Sequence, residues 1–224
     1  MVSRPYVLLS VAMSVDGYID DLREGRLRLS NEEDFDRVDE VRAGVDAILL
    51  GASTIRRDNP RLLVRSEVRQ RERVRRGLAA HPIKVTLTGR GDLDVAARFF
   101  STGDNEKLVY SCDSVATALR AALGDAATVV AAGEPVELGA VLDDLGERKV
   151  GRLMVEGGGT IHTQFLAAGL VDEIHLVIAP FLVGDAGAPR FVHPGRFPQD
   201  PEHPMALAET RQIGNLVLLR YLGR

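Results

Sequence analysis

Residues 149–168 read KVGRLMVEGGGTIHTQFLAA. The apolar run Leu153–Val155 has the character of a buried strand, and three glycines follow at Gly157, Gly158 and Gly159. Thr160 then opens a segment with helical apolar spacing at Ile161, Phe165 and Leu166. The order is strand, tight turn, helix. Glycine has no Cβ, so such a turn adopts positive φ and lets a ligand touch the backbone. The first N–H groups of the helix and the positive end of its dipole then face an anion. Glu156 ends the strand at the carboxyl edge, where open α/β sheets bind ligands. A carboxylate beside a bound phosphate repels it, so Glu156 needs another partner. The turn can also be a plain connection, and it is not a Rossmann fingerprint. His162 stands where G-x-G-x-x-G needs glycine, and no ribose-binding acid follows at the usual interval of about 20 residues.

Outward from this turn the chain alternates strands and helices. Tyr6–Ala12 reads as the first strand, continuing an N-terminal apolar stretch too short for a signal peptide, and Asp16-Gly17 punctuates the loop after it. Ser30 with Glu33 predicts a capping box for a helix running to about Gly44, with Phe35, Val38 and Val41 facing inward and Arg42 in its last turn. Val45–Leu50 predicts a second buried strand ending in the small-residue turn Gly51-Ala52-Ser53-Thr54. The polar stretch 56–65 reads as a loop, and residues 65–76 carry six arginines against Glu67 and Glu72, read as an exposed helix or loop. Ile83–Leu87 is a third strand. It leaves into Thr88-Gly89-Arg90-Gly91, either a second phosphate site or a plain turn.

Strands at Leu108–Tyr110 and Thr128–Ala131 follow, each before a helical segment, Val115–Leu123 and Leu138–Leu145. Beyond the glycine turn, Val171–Pro180 is a strand in which His175 reads as a sheet residue. Met205–Gln212 and Leu216–Tyr221 flank the hairpin signal Gly214-Asn215. The expected architecture is α/β: a mostly parallel central sheet flanked by helices, with a C-terminal antiparallel hairpin, in a single domain over 1–224.

Composition narrows the function. The chain has 224 residues, 45% hydrophobic and 27% charged, as in ordinary globular proteins. A net charge of −4 gives no support for a nucleic-acid or membrane-surface partner. Cys112 is the only cysteine, which rules out an intramolecular disulfide, argues against a cysteine metal cluster, and points to a reducing, cytoplasmic setting. No metal is expected.

Five stretches, taken together and in order, carry a resemblance: Met13–Gly17; Val41-Arg42-Ala43; Gly51–Thr54 with Asp58-Asn59-Pro60-Arg61-Leu62 and Arg65; Glu156–Thr160; and Gly169–Glu173. They resemble the reductase domain family of bacterial and archaeal riboflavin biosynthesis, which is dihydrofolate-reductase-like in fold. The resemblance implies NADPH-dependent reduction of a phosphoribosylaminopyrimidine to the ribitylamino product. It implies cofactor contacts at Ala12, Thr54, Asp58, Thr88, Gly89, Arg90, Gly157, Gly158, Gly159, Thr160, Ile161 and Gln164. It implies substrate contacts at Arg42, Leu62, Arg65 and Glu156, with the arginines on the sugar phosphate and Glu156 facing the pyrimidine. Asp58 and Glu156 are the candidates for passing the proton. The fused bacterial form carries a zinc deaminase that this chain has no cysteine pair to build, so a stand-alone reductase is expected, as a homodimer. A dihydrofolate or pterin reductase and a non-catalytic NADPH-binding sensor are the alternatives.

Overall fold

The computed structural model describes residues 4–23, 25 and 27–223; Met1–Ser3, which open the N-terminal stretch read as the first strand, lie outside them. The chain forms two compact units. The first holds residues 39–154 with the N-terminal residues to Pro5, and the second holds residues 6–38 and 155–224. The chain passes between them inside α1 (Glu32–Ala43) and inside β6 (Arg152–Gly157).

In the first unit β2 (Ala47–Gly51), β3 (Ile83–Thr88), β4 (Lys107–Ser111) and β5 (Thr128–Ala131) lie in the order β5-β4-β3-β2, every pair parallel. Strands covered on both faces read as continuous apolar runs, and all five residues of β2 are buried. Parallel strands need crossovers, supplied here by α2 (Ala52–Asp58), α3 (Glu67–Arg75), α4 (Arg98–Ser101), α5 (Asp113–Leu123) and α6 (Leu138–Glu147). α5 buries Ala116, Leu119 and Leu123, and α6 buries Val141, Leu142 and Leu145, both at helical spacing. Each such leucine contributes roughly 1.5–3 kcal/mol. The four parallel strands all end at one edge.

In the second unit β1 (Tyr6–Ser14) pairs in parallel with β7 (Glu173–Ala179). β9 (Leu216–Leu222) joins β7 antiparallel, and β8 (Ala206–Ile213) joins β9 antiparallel, giving the order β1-β7-β9-β8. α7 (Gly159–Ala167) follows β6. Leu29, Val177, Ala179, Ile213, Leu216 and Leu218 pack into one cluster, with Ala12 and Phe181 against it. The parallel sheet, the helices and the terminal hairpin agree with the expected fold class.

Three local readings are corrected. The α1 cap is Asn31, not Ser30: Asn31 Oδ1 accepts from Asp34 N at 2.8 Å while its Nδ2 donates to Ile213 O at 2.9 Å. The cap sits where a side chain can serve the helix and the β8–β9 turn together. Phe35, Val38 and Val41 are only half-buried; the deeply buried positions of α1 are Asp34, Arg37 and Asp39. Arg37 neutralises Asp34 at 2.7 Å, so charge can go inward. Residues 52–58 are helical rather than turn and loop, held by the buried Ala52 and Ile55. The arginine-rich stretch is α3, as one of its two readings had it. Arg73 is its exception, 3% exposed and donating to the carbonyls of Ala79, Ala43 and Val45.

The second unit also buries charge at the start of β7. Glu173 accepts from Tyr6 Oη at 2.9 Å, His175 Nε2 at 2.9 Å and Arg220 Nε, and His175 Nδ1 accepts from Arg37 at 3.3 Å. His175 is thus a sheet residue in a structural network. Burial alone would raise the Glu173 carboxyl, but the bonds from His175, Arg220 and Tyr6 outweigh it and hold the pKa down to about 2, against 4.5 for a free glutamate. A depressed carboxyl stabilises the fold above its unfolded pKa, and that contribution is lost as pH falls toward the folded one. The urea midpoint is therefore expected to fall more steeply between pH 4.5 and 2.5 in the wild type than in Glu173→Gln. That variant should itself cost about 3 kcal/mol at pH 7, since it leaves partners of a buried charge unmatched. Equal slopes in the two proteins would contradict this account of Glu173.

Candidate active site

The expected site residues fall in both units, some at the carboxyl ends of strands and others on the helices and loops that follow them or, for Arg42, on the last turn of α1. In the first unit β2 ends at Gly51 and runs directly into α2, which carries Thr54 and ends at Asp58, both half-buried. Asn59 caps the helix in the left-handed region (φ 43°), donating to Ile55 O at 3.0 Å and accepting from Arg98 N at 2.7 Å. Pro60 stops it. Leu62 also lies at positive φ (53°), with its side chain 2% exposed, and Val64 is 1% exposed. A leucine with left-handed backbone is strained, and it persists only where its surroundings over-determine it. Those surroundings are on α1 and α3. Arg42 Nη1 donates to Leu63 O at 3.4 Å, and Gln70 Nε2 donates to Val64 O at 2.9 Å. The loop therefore brings Arg42, Leu62 and Arg65 together, Arg65 exposed.

At the end of β3, Thr88 is buried and its Oγ1 accepts from Gly91 N at 3.0 Å, which closes the turn. The hydroxyl shapes the loop, and Gly89 and Arg90 are the exposed members. An exposed backbone and an exposed arginine are both groups that suit a phosphate.

In the second unit β6 delivers Glu156, half-buried, one residue before the glycine turn. Gly157 (φ 139°) and Gly158 (φ 69°) adopt conformations that side chains rarely take. α7 begins at Gly159, and His162 N closes the first i→i−4 bond on Gly158 O at 3.0 Å. The earlier amides have no acceptor within the helix, and no acid lies in the first turn to compete for them. This is a fit for a dinucleotide pyrophosphate. Thr160 and Gln164 are exposed, whereas Ile161 is buried, so Ile161 can meet a ligand only through its backbone. His162 lies under Gly157, edge-on to Phe191 at 5.4 Å; burial pushes its pKa down to about 4 and keeps it uncharged at neutral pH. Ala12 is half-buried on β1, in register with Val177.

The connection between β7 and β8 also bears on the glycine turn. Asp16 ties its start to the loop after β1, accepting from Ser14 Oγ at 2.5 Å, Val183 N at 3.1 Å and Gly184 N at 2.8 Å. Further along, Arg190 stacks over Tyr18 at 4.3 Å and donates to its hydroxyl at 2.6 Å. His193 N donates to Thr163 Oγ1 at 2.8 Å, and its Nε2 lies 3.3 Å from Thr160 Oγ1. This segment thus packs on the first turn of α7. No local pattern signals it, because the partners lie 30 to 174 residues apart.

Comparison with known proteins identifies the frame. The model of the RibD C-terminal domain family matches residues 5–219. The chain belongs to this family. It is 37% identical over 186 residues, 83% of this chain and 85% of the relative, to the 2,5-diamino-6-ribosylamino-4(3H)-pyrimidinone 5′-phosphate reductase of Archaeoglobus fulgidus. A protein of the same name from Methanothermobacter thermautotrophicus is 36% identical over 187 residues, 83% of this chain and 82% of that protein. Among solved structures, a pyrimidine reductase-like protein from Corynebacterium diphtheriae matches with a TM-score of 0.82 at 24% identity, over 97% of this chain and 91% of its own. Dihydrofolate reductase from Enterococcus faecalis matches with a TM-score of 0.55 at 12% identity, over 97% and 95%. These two show the fold. The family resemblance read from the five motifs is borne out.

The glycine turn tolerates little at Gly159. A Cβ there would fall well inside 3 Å of the Arg190 carbonyl oxygen, a backbone atom that cannot swing aside. Gly159→Ala is expected to destabilise the protein by about 1–3 kcal/mol through overpacking. Thermal unfolding measures this, and an unchanged melting temperature would show that the 190–193 segment does not rest on the turn.

Proposed function

We propose that this chain reduces 2,5-diamino-6-ribosylamino-4(3H)-pyrimidinone 5′-phosphate to its ribitylamino product with NADPH. The observation that carries the reading is the identity to the archaeal reductases over most of both chains. The residue types at the loop edges support it. NADPH, when bound, would supply the hydride. The hydride joins the anomeric carbon, the bond from that carbon to the ring oxygen breaks, and the pair left on oxygen takes a proton.

The residues of this chain bind, orient and supply that proton. Arg42 and Arg65 hold the sugar phosphate, a task suited to the planar guanidinium fork. Leu62, buried to 2% exposure, meets the substrate through its backbone. Glu156 accepts hydrogen bonds from the ring amide or exocyclic amine of the pyrimidine. Asp58 or Glu156 passes the proton, directly or through water. Ala12, Thr54, Asp58 and residues 157–161 with Gln164 hold the cofactor. Thr88, Gly89 and Arg90 take its 2′-phosphate, Thr88 by shaping the turn. The reading treats residues 1–224 as one cytoplasmic reductase domain that acts as a homodimer, for which the β8–β9 hairpin with exposed Leu207 and Val217 offers an apolar face.

Purified protein given NADPH and the diaminopyrimidine substrate is expected to lose absorbance at the nicotinamide band. Turnover of the deaminated uracil analogue alone would correct the substrate. Turnover of dihydrofolate alone would replace the reading, and NADPH binding with no turnover of any of the three would favour a sensor. Glu156→Gln is expected to raise the KM for the pyrimidine about 10- to 100-fold, the range for a hydrogen bond to a charged group, with a much smaller change in the Kd for NADPH. Equal losses in both would contradict the placement of its carboxylate.

A further inference from the structure

The loop that carries Leu62 and Arg65 is held at one point by a carboxylate to which no part of the reaction has been assigned. Asp39 lies on α1 one turn before Arg42, on the same side of the helix, and is 3% exposed. Its Oδ1 accepts from Arg65 N at 2.5 Å, and its Oδ2 accepts from Ser66 N at 3.1 Å and from Arg69 Nη1 at 3.0 Å. Two consecutive backbone amides and a guanidinium thus converge on one buried carboxylate. α3 gains from this too, since Ser66 is its N-cap and accepts from Arg69 N. A buried carboxylate with three donors is a fixed point, because moving any of them leaves a charge unmatched.

The strain at Leu62 makes that point consequential. A backbone at φ 53° relaxes toward ordinary conformations unless both flanks are held. The flank before it is held by Asn59 on Arg98 N and Ile55 O, and the flank after it by Arg42 on Leu63 O and Asp39 on Arg65 N and Ser66 N. α1 therefore clamps the loop twice within one helical turn, once with a cation and once with an anion.

We propose that Asp39 is a positioning residue for substrate: by fixing the backbone of Arg65 and Ser66 it places the Arg65 guanidinium for the 5′-phosphate. This rests on the proposed role of Arg65. A purely structural Asp39 would affect stability; a positioning Asp39 changes substrate KM and does so only through Arg65.

The test measures kcat and KM for the diaminopyrimidine phosphate, the Kd for NADPH, and amide exchange at Arg65 and Ser66, in Asp39→Asn, Arg65→Ala and the double variant. Asp39→Asn is close in shape but turns an N–H₂ toward donors. It is expected to raise KM about 10-fold or more, leave kcat within about threefold, leave NADPH affinity unchanged, and speed exchange at both amides. In the Arg65→Ala background Asp39→Asn is expected to add no further increase in KM. An unchanged KM in Asp39→Asn overturns the inference, as do KM effects that multiply in the double variant. An unchanged KM in Arg65→Ala is a different failure, since it removes the phosphate role of Arg65 and takes this inference with it. Should Asp39→Asn not fold, Arg69→Met removes one donor from the same carboxylate while its straight side chain keeps the packing of a half-buried position. It is expected to raise KM severalfold with NADPH affinity intact, and an unchanged KM there also overturns the inference.

Discussion

Parallel pairing is the constraint on which this molecule is built. A strand that runs beside its predecessor in the same direction must be reached by a crossover, and each crossover leaves from a carboxyl end. In the first unit β2, β3, β4 and β5 therefore release their turns along one edge, and in the second β1 and β7 do the same. The residues whose types suit a phosphorylated heterocycle and a dinucleotide stand at or just beyond such ends: Thr54 and Asp58 on the helix that leaves β2, Arg90 in the turn after β3, and Glu156 with the glycine turn at the end of β6. The apolar strands fix the edge, and the polar loops are free to specialise.

The loops specialise because charged groups inside the fold hold them. Arg73 binds three carbonyls, among them those of Ala43 and Val45, and so ties α3 to the end of α1 and the approach to β2. Lys84 donates to Phe99 O at 2.9 Å and Thr102 O at 2.6 Å and lies over the Phe99 ring, fixing α4. Burial, with a smaller push from the nearby Lys107, lowers its pKa to about 8. In each case a long cation replaces the hydrogen bonds that irregular backbone lacks. Apolar packing alone could not do this, since it has no direction.

This division explains what could be read from the residues. Strands such as Ala47–Gly51 and helices such as α5 and α6 announce themselves through local apolar pattern, and their expected bounds agree with the structure to within two residues. The glycine turn was legible for the same reason, its residues being neighbours in the chain. α2 was missed because seven residues with two buried positions give too short a period to see. The polar face of α1 is not legible because Arg37 and Asp39 find partners through the fold, Arg37 at His175 and Asp39 some 26 to 30 residues away, while Asp34 goes inward on the charge of Arg37. Pattern rules place such side chains in water. The roles proposed for Arg42, Arg65 and Asp58 rest on the ordered motifs of a family, not on anything their local spacing contains.

The contact between Gly159 and Arg190 has an evolutionary side. The atom that would collide with a side chain at 159 is a main-chain oxygen, which every amino acid at position 190 would supply. No second-site replacement at 190 can make room. Compensation would require re-routing the main chain itself, by insertion or deletion in the β7–β8 connection. Drift at position 159 is thus closed to single-codon rescue at position 190, while the side chains of the surrounding loop remain open to exchange.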